Sequence, residues 1–322
     1  MKTRALGTNG PELTVIGFGA WAIGGPWLFG WGPVDDAKSV KAIQSAIDLG
    51  INWIDTAAVY GLGHSEEIVA RALDGVRGRV FVATKCGLVW DDKGNVKNDL
   101  HPDSIRREVH ASLKRLQVDT IDLYQFHWPD PAVPVEDSWE AMLKLQQEGK
   151  VRYAGVSNFD VPLLERCGAP GPVQSLQPPF SLLNPAVADS ILPYCRNNGI
   201  GVVAYSPMQS GLLSGTFDLA KLAPDDWRRR KQMFREPRFT RATAMVSALN
   251  EMAKSYHATV GQLAIAWVLR NPATTAAIVG GRTPEQVKET AGAADINLSD
   301  ADVAQLTRLS EEFAQFSATA GS

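Results

Sequence analysis

The chain has 322 residues, 45% of them hydrophobic and 21% charged, with a formal net charge of −3. These values suit a globular protein with a large core and give no electrostatic reason to expect nucleic-acid or anionic-membrane partners. The length allows two ordinary domains or one large α/β barrel, which commonly takes ~250 residues plus insertions.

The opening MKTRALGTNG lacks the apolar stretch of a secretory leader, and no apolar run approaches the ~20 residues of a membrane helix, so a cytoplasmic protein is expected. Cys86, Cys167 and Cys195 are too few and too scattered for a disulfide framework or a zinc site, and no metal is expected. Thr3–Leu6 and Leu13–Ile16 open the chain. Strand candidates then run Val15–Gly19, Asn52–Asp55, Val80–Thr84, Thr120–Phe126, Val151–Val156, Val173–Gln177, Gly201–Tyr205 and Thr275–Val279. Helical patterns fall between them at Asp36–Leu49, Ser65–Leu73, Pro102–Leu116, Val135–Glu148, Pro185–Asn197, Val260–Leu269 and Pro284–Ala291, with Ser299–Phe313 as one extra helix at the end. Asp36 is placed to cap the first helix and Gly50 to end it, while Gly149 closes the fourth.

Strands that alternate with helices pair in parallel, each helix serving as a crossover. An open doubly wound sheet alternates in the same way, so this pattern leaves both sheet and barrel open. No composition shift marks a linker, and one domain over residues 1–322 is expected. Two segments break the alternation: Ala22–Val34, dense in Gly, Pro and Trp, and an irregular insertion from Ser206 to about Arg241. Loops this long in a compact domain are usually functional. The basic run Arg228-Arg229-Arg230-Lys231 inside the second reads as a solvated face rather than a ligand site.

Four polar residues sit at or just beyond strand ends: Asp55, Tyr60, Lys85 and His127. On a barrel those ends converge on one mouth. A carboxylate, a phenol, an amine and an imidazole together suit carbonyl reduction, which leaves negative charge on oxygen and needs a proton. Tyr60 is the natural proton donor, since its phenol titrates near ~10. Lys85 is expected to lower that value, Asp55 to orient Lys85, and a neutral His127 to donate a second hydrogen bond.

The stretch Ile54-Asp55-Thr56-Ala57-Ala58-Val59-Tyr60-Gly61 with His64-Ser65-Glu66 resembles a signature of the aldo-keto reductase superfamily. So do Thr84-Lys85, Asp122-Leu123-Tyr124 with His127-Trp128-Pro129, and Gly149-Lys150-Val151-Arg152 through Gly155-Val156-Ser157-Asn158-Phe159. The resemblance, to a bacterial branch near the stress-response and potassium-channel-β proteins, implies a (β/α)8 TIM barrel with an N-terminal β-hairpin across its floor. It also implies Asp55, Tyr60, Lys85 and His127 as the catalytic tetrad.

Gly17-Phe18-Gly19-Ala20-Trp21-Ala22 spells the G-x-G-x-x-A dinucleotide fingerprint, but the chain runs into a Gly/Pro/Trp loop rather than a helix, so the match is rejected. The family resemblance implies a different grip on NADPH. Ser157, Asn158 and Gln177 would hold the carboxamide, and Tyr205 would stack on the nicotinamide. Ser206, Met208, Ser210, Gly211 and Leu213 would line the pyrophosphate. Gly280, Arg282 and Gln286 would lie at the adenosine end, where helix amides can hold a phosphate. Many family members carry Lys, Arg and Asn where this chain has Gly280, Gln286 and Thr290, which leaves room for NADH.

Trp21, Trp27, Trp31, Trp90 and Trp128, in strand-end loops, are expected to line a pocket for a small carbonyl or polyol substrate. Oxidation of a polyol with NADP+ and a slow, cofactor-sensing channel subunit stand as alternatives. The sequence leaves the oligomeric state open.

Overall fold

The computed structural model describes residues 1–319. The N-terminal strands β1 (Thr3–Ala5) and β2 (Glu12–Thr14) form an antiparallel hairpin. Eight parallel strands then close a barrel: β3 (Ile16–Gly19), β4 (Trp53–Asp55), β5 (Phe81–Cys86), β8 (Ile121–Phe126), β9 (Val151–Ser157), β10 (Ser175–Gln177), β11 (Gly201–Ala204) and β12 (Thr274–Gly280). A second hairpin, β6 (Leu88–Trp90) with β7 (Val96–Asn98), rises after β5. The helices are α1 (Asp36–Asp48), α2 (His64–Ala72), α3 (Pro102–Leu116), α4 (Val135–Gln147), α5 (Val161–Gly168), α6 (Ile191–Asn197), α7 (Arg238–Ser255), α8 (Val260–Arg270), α9 (Pro284–Ala291) and α10 (Asp300–Thr319). The chain is thus a (β/α)8 barrel, and the open-sheet alternative is excluded by the pairing of β12 with β3.

Alternation along each strand divides the core in two. Outward residues such as Phe18, Tyr124, Phe126 and Val156 pack against the helices. Inward residues Trp53, Ala83, Leu123, Val203, Ala276 and Ile278 fill the lumen, and Leu6 and Leu13 of the N-terminal hairpin close it from below. Trp53 Nε1 donates to Thr14 O at 2.9 Å, and Arg4 donates to Leu269 O at 2.8 Å, so the hairpin is pinned to the barrel floor. The lower lumen is therefore apolar and sealed, and polar chemistry is confined to the opposite end.

Several boundaries shift from the sequence expectation. Asp35, not Asp36, caps α1, its side chain accepting from the Lys38 amide. Asp36 instead lies in the first turn and pairs with His64 and Arg71. Gly50, at φ +83°, does end that helix in a left-handed conformation. The expected Pro185–Asn197 helix is a short turn at Ala186–Ala188 followed by α6. The second hairpin, α5 and α7 had no counterpart in the sequence reading, and the irregular insertion stops at Pro237, just before α7 begins at Arg238. Among the described residues no helix is long and apolar enough to cross a membrane.

The rejected fingerprint is a packing feature. Its chain turns from β3 into a 3-10 turn at Ala20–Ile23, and a Cβ on Gly17 would lie 2.1 Å from the Trp53 ring. Gly17→Ala is predicted to cost about 1–3 kcal/mol by overpacking, seen as a lowered Tm. Gly78→Ala, where a Cβ meets nothing within 4 Å, should leave the Tm unchanged.

Candidate active site

The upper end of the barrel gathers the four polar residues. Register sets Asp55 beside Ala83, two residues before Lys85, and both side chains point inward and are buried. Lys85 Nζ donates to Asp55 Oδ1 at 2.7 Å, to Thr56 O at 2.8 Å and to Tyr60 OH at 3.4 Å. Those three contacts account for the three ammonium protons. The other carboxylate oxygen of Asp55 accepts from Gln177 Nε2 at 2.8 Å. His127 follows β8 directly, its amide donating to Cys86 O at 2.9 Å. The imidazole meets the Tyr60 ring edge-on with centroids 5.6 Å apart.

Burial, then the Asp55 charge, push the Tyr60 phenol well above its ordinary value. Burial outweighs the lowering expected from Lys85, and the Asp55 charge adds to the rise. The phenol therefore keeps its proton at neutral pH, as a donor must. Burial lowers Lys85, opposed by Asp55 and Glu66. Burial and the nearby Lys85 charge hold His127 well below its usual range, so it is a neutral imidazole.

A second layer braces this centre, and the sequence reading gave it no role. Thr84 donates its hydroxyl to Glu66 Oε1 at 2.6 Å, and Arg115 Nε donates to Glu66 Oε2 at 2.6 Å. Glu66 is fully buried, so the pair fixes the strand that carries Lys85 from its outer side. Glu108 accepts from the Gly87 amide with both oxygens at 3.1 Å. Burial raises its carboxyl to about 8.

Four of the residues expected to hold a cofactor form one network. Ser157 Oγ donates to Gln177 O at 2.8 Å, and Asn158 Nδ2 donates to His127 O at 2.9 Å and Ser157 Oγ at 3.0 Å. Tyr205 OH donates to Asn158 Oδ1 at 2.8 Å. The Asn158 amide protons are thereby engaged, and Gln177 retains its amide oxygen for a ligand donor. Beyond Tyr205 the chain makes a tight turn in which Ser206, Gln209 and Ser210 have φ of 53°, 46° and 54°. Non-glycine residues in the left-handed region carry strain that clusters at functional sites. Leu213 lies with its side chain in the core, so only its backbone could face a ligand, while the half-buried Met208 packs against α8 at Gly261. Gly280 ends β12, and the exposed Arg282 has its amide held by Gln286 Oε1 at 2.8 Å. Its guanidinium donates to Pro33 O at 2.9 Å, which ties the head of α9 to the loop after β3.

Trp21 and Trp27 face Tyr60, with ring centroids at 6.5 and 6.1 Å. Trp31 packs edge-on against Trp21 at 5.5 Å. Trp90, on the second hairpin, lies under the Arg115 guanidinium, and Trp128 is 46% exposed beside His127. Among the described residues neither stacks on the other tryptophans. The member the sequence reading missed is Trp227, which packs on Trp21 at 5.2 Å and on Trp31 at 6.1 Å. Its neighbour Arg228 overturns the reading of the basic run as a solvated face. The Arg228 side chain is only 12% exposed and pairs with Asp226 at 2.7 Å, while Arg230 and Lys231 do face solvent.

Comparison with known proteins agrees with this geometry. Residues 15–311 match the model described as the aldo/keto reductase family. The chain is 39% identical over 292 residues to an aldo-keto reductase, YhdN, of Bacillus subtilis (strain 168), covering 89% of this chain and 87% of that protein. It is 37% identical over 324 residues to an NADH-specific methylglyoxal reductase of Escherichia coli (strain K12), covering 97% and 99%. The solved glycerol dehydrogenase AKR11B4 from Gluconobacter oxydans superposes with a TM-score of 0.87 at 38% identity, over 95% of this chain and 94% of that one.

Two tests address the bracing layer. Arg115→Met leaves Glu66 as an uncompensated buried charge and should cost about 3–5 kcal/mol in urea unfolding; an unchanged midpoint would remove the pair from this role. For Glu108, the folded carboxyl holds its proton up to about 8, whereas the unfolded one releases it near its ordinary 4.5. Its contribution to stability is thus complete below 4.5 and lost as pH rises toward 8. Glu108→Gln, neutral throughout, should therefore gain Tm relative to the parent at alkaline pH and little at pH near ~5.

Proposed function

The chain belongs to the aldo/keto reductase family, and from that premise we propose that it reduces an aldehyde or ketone to the alcohol with NADPH. On this reading the whole chain acts as one barrel domain in the cytoplasm. The observation that carries the proposal is the fully engaged Lys85 ammonium, held by Asp55 and Thr56 and aimed at the Tyr60 hydroxyl.

When bound, NADPH supplies the hydride; the protein must supply the proton and orient the carbonyl. Tyr60, kept protonated by burial, gives its proton to the oxygen that becomes the alcohol. A newly formed alkoxide is far more basic than even a raised phenol, so the transfer runs downhill. Lys85 then stabilises the phenolate, and Asp55, itself held by Gln177, keeps Lys85 charged. Neutral His127 donates a second hydrogen bond to the same oxygen.

The residues present fit the cofactor. Gln177 offers an amide oxygen to a carboxamide, Tyr205 offers a ring fixed by Asn158, and the strained turn at Ser206–Gly211 offers backbone to a pyrophosphate. Arg282, at the head of α9, suits a 2′-phosphate. NADH stands as the second cofactor, because a relative is named as NADH-specific and Gly280, Gln286 and Thr290 carry no charge.

A hydroxyl-bearing substrate, reduced as the carbonyl or oxidised as the polyol, fits the mouth best. Trp21 and Trp27 face Tyr60, and Arg228 has its charge matched by Asp226. Aromatic faces beside a matched cation favour neutral, oxygen-rich molecules over carboxylates or phosphates. One solved neighbour bears the name glycerol dehydrogenase.

Tyr60→Phe should lower kcat for aldehyde reduction by about 10²- to 10⁴-fold while the NADPH Kd stays nearly constant. Lost cofactor binding with turnover intact would refute the assigned role.

A further inference from the structure

We propose that Arg228 is a positioning residue that couples the turn at Ser210 to the tryptophans facing Tyr60. The inference rests on the proposed function, because it takes that turn as the cofactor side of the site.

The guanidinium of Arg228 touches both sides at once. Nε and Nη2 donate to the two oxygens of Asp226 at 3.0 and 2.7 Å, which fixes the plane of the group. Nη1 donates to Ser210 O at 3.4 Å, inside the left-handed turn. One face lies over the Trp31 ring at 4.5 Å, and the Phe217 ring is 5.8 Å away. The preceding residue, Trp227, packs on both Trp21 and Trp31, and Trp21 in turn faces Tyr60. A continuous path of packed groups therefore runs from Ser210 through Arg228 and Trp31 to Trp21 and the reacting phenol.

Lysine could not do this work: it lacks both the planar fork that grips Asp226 and the flat face that stacks on Trp31. A phosphate-bearing ligand at the turn would engage the backbone around Ser210. Any shift of that carbonyl acts on Arg228, and through it on the pitch of Trp31 and Trp21. The substrate-side aromatics are thus set only when the turn is set. Trp227 and Arg228 thus tie the insertion after β11 to the loop after β3.

The test is a double-mutant cycle on the full chain with Arg228→Lys, Trp31→Leu and the combination. Three quantities are read: tryptophan emission of the ligand-free protein, the NADPH Kd by calorimetry, and KM against kcat for glyceraldehyde. Arg228→Lys should shift the emission to longer wavelength without ligand. It should raise KM about tenfold with kcat within about twofold, and the double variant should be no worse than the worse single variant. Multiplying effects, or an unshifted emission with unchanged KM, would overturn the coupling while leaving the reductase reading intact. Should Arg228→Lys fail to fold, Asp226→Asn, which frees the guanidinium, is expected to move the same readouts in the same direction and decides the question. A parent chain that binds neither NADPH nor NADH overturns the proposed function and this inference with it.

Discussion

The ion pair between Lys85 and Asp55 is the constraint around which the upper barrel is arranged. The ammonium of a lysine that is 1% exposed is tolerated only if its charge is matched and its protons are used. The structure meets both conditions with groups from neighbouring strands and the loop between them, and it spends one of the three donors on the Tyr60 hydroxyl. Gln177 completes Asp55 from the far side of the lumen. Each neighbour of Lys85 is thereby held in one orientation, and the Tyr60 phenol inherits that order.

The same burial sets the protonation states. A desolvated site penalises charge, so the phenol stays protonated and the imidazole stays neutral, while the single matched ammonium remains. Both uncharged groups lie together at the upper end of the barrel and are able to donate a hydrogen bond. Outside the barrel wall, Glu66 with Arg115 repeats the logic of a matched buried charge and steadies the strand from its other face. The apolar lumen beneath, closed by Leu6 and Leu13, keeps water from undermining this order from below.

Much of this was legible in the sequence because it follows from strand ends. Asp55, Lys85 and His127 each sit where a short β-rich run meets polar residues, and parallel strands in a barrel bring such ends together. What stayed hidden depends on contacts between distant loops. Trp227 and Arg228 lie in an irregular stretch whose local pattern says nothing of Trp21 or Trp31, about two hundred positions earlier. A run of four cations looks solvated unless Asp226 is known to fold back on it. Tyr60 stays above its ordinary value for a related reason: the depth of its burial, which outweighs the lowering expected from Lys85, comes from the packing of distant loops. The second hairpin, with strands of three residues each, was too short to stand out by periodicity.

The proposed reduction requires a nicotinamide cofactor to dock beside Lys85 and Tyr60, and titration of the purified chain with NADPH and NADH tests that most directly. Trp21 and Trp27 flank the site, so their emission should report occupancy. Saturable quenching by NADPH, weaker with NADH, is the predicted result. Quenching by neither would contradict the account, however well the family and the geometry agree.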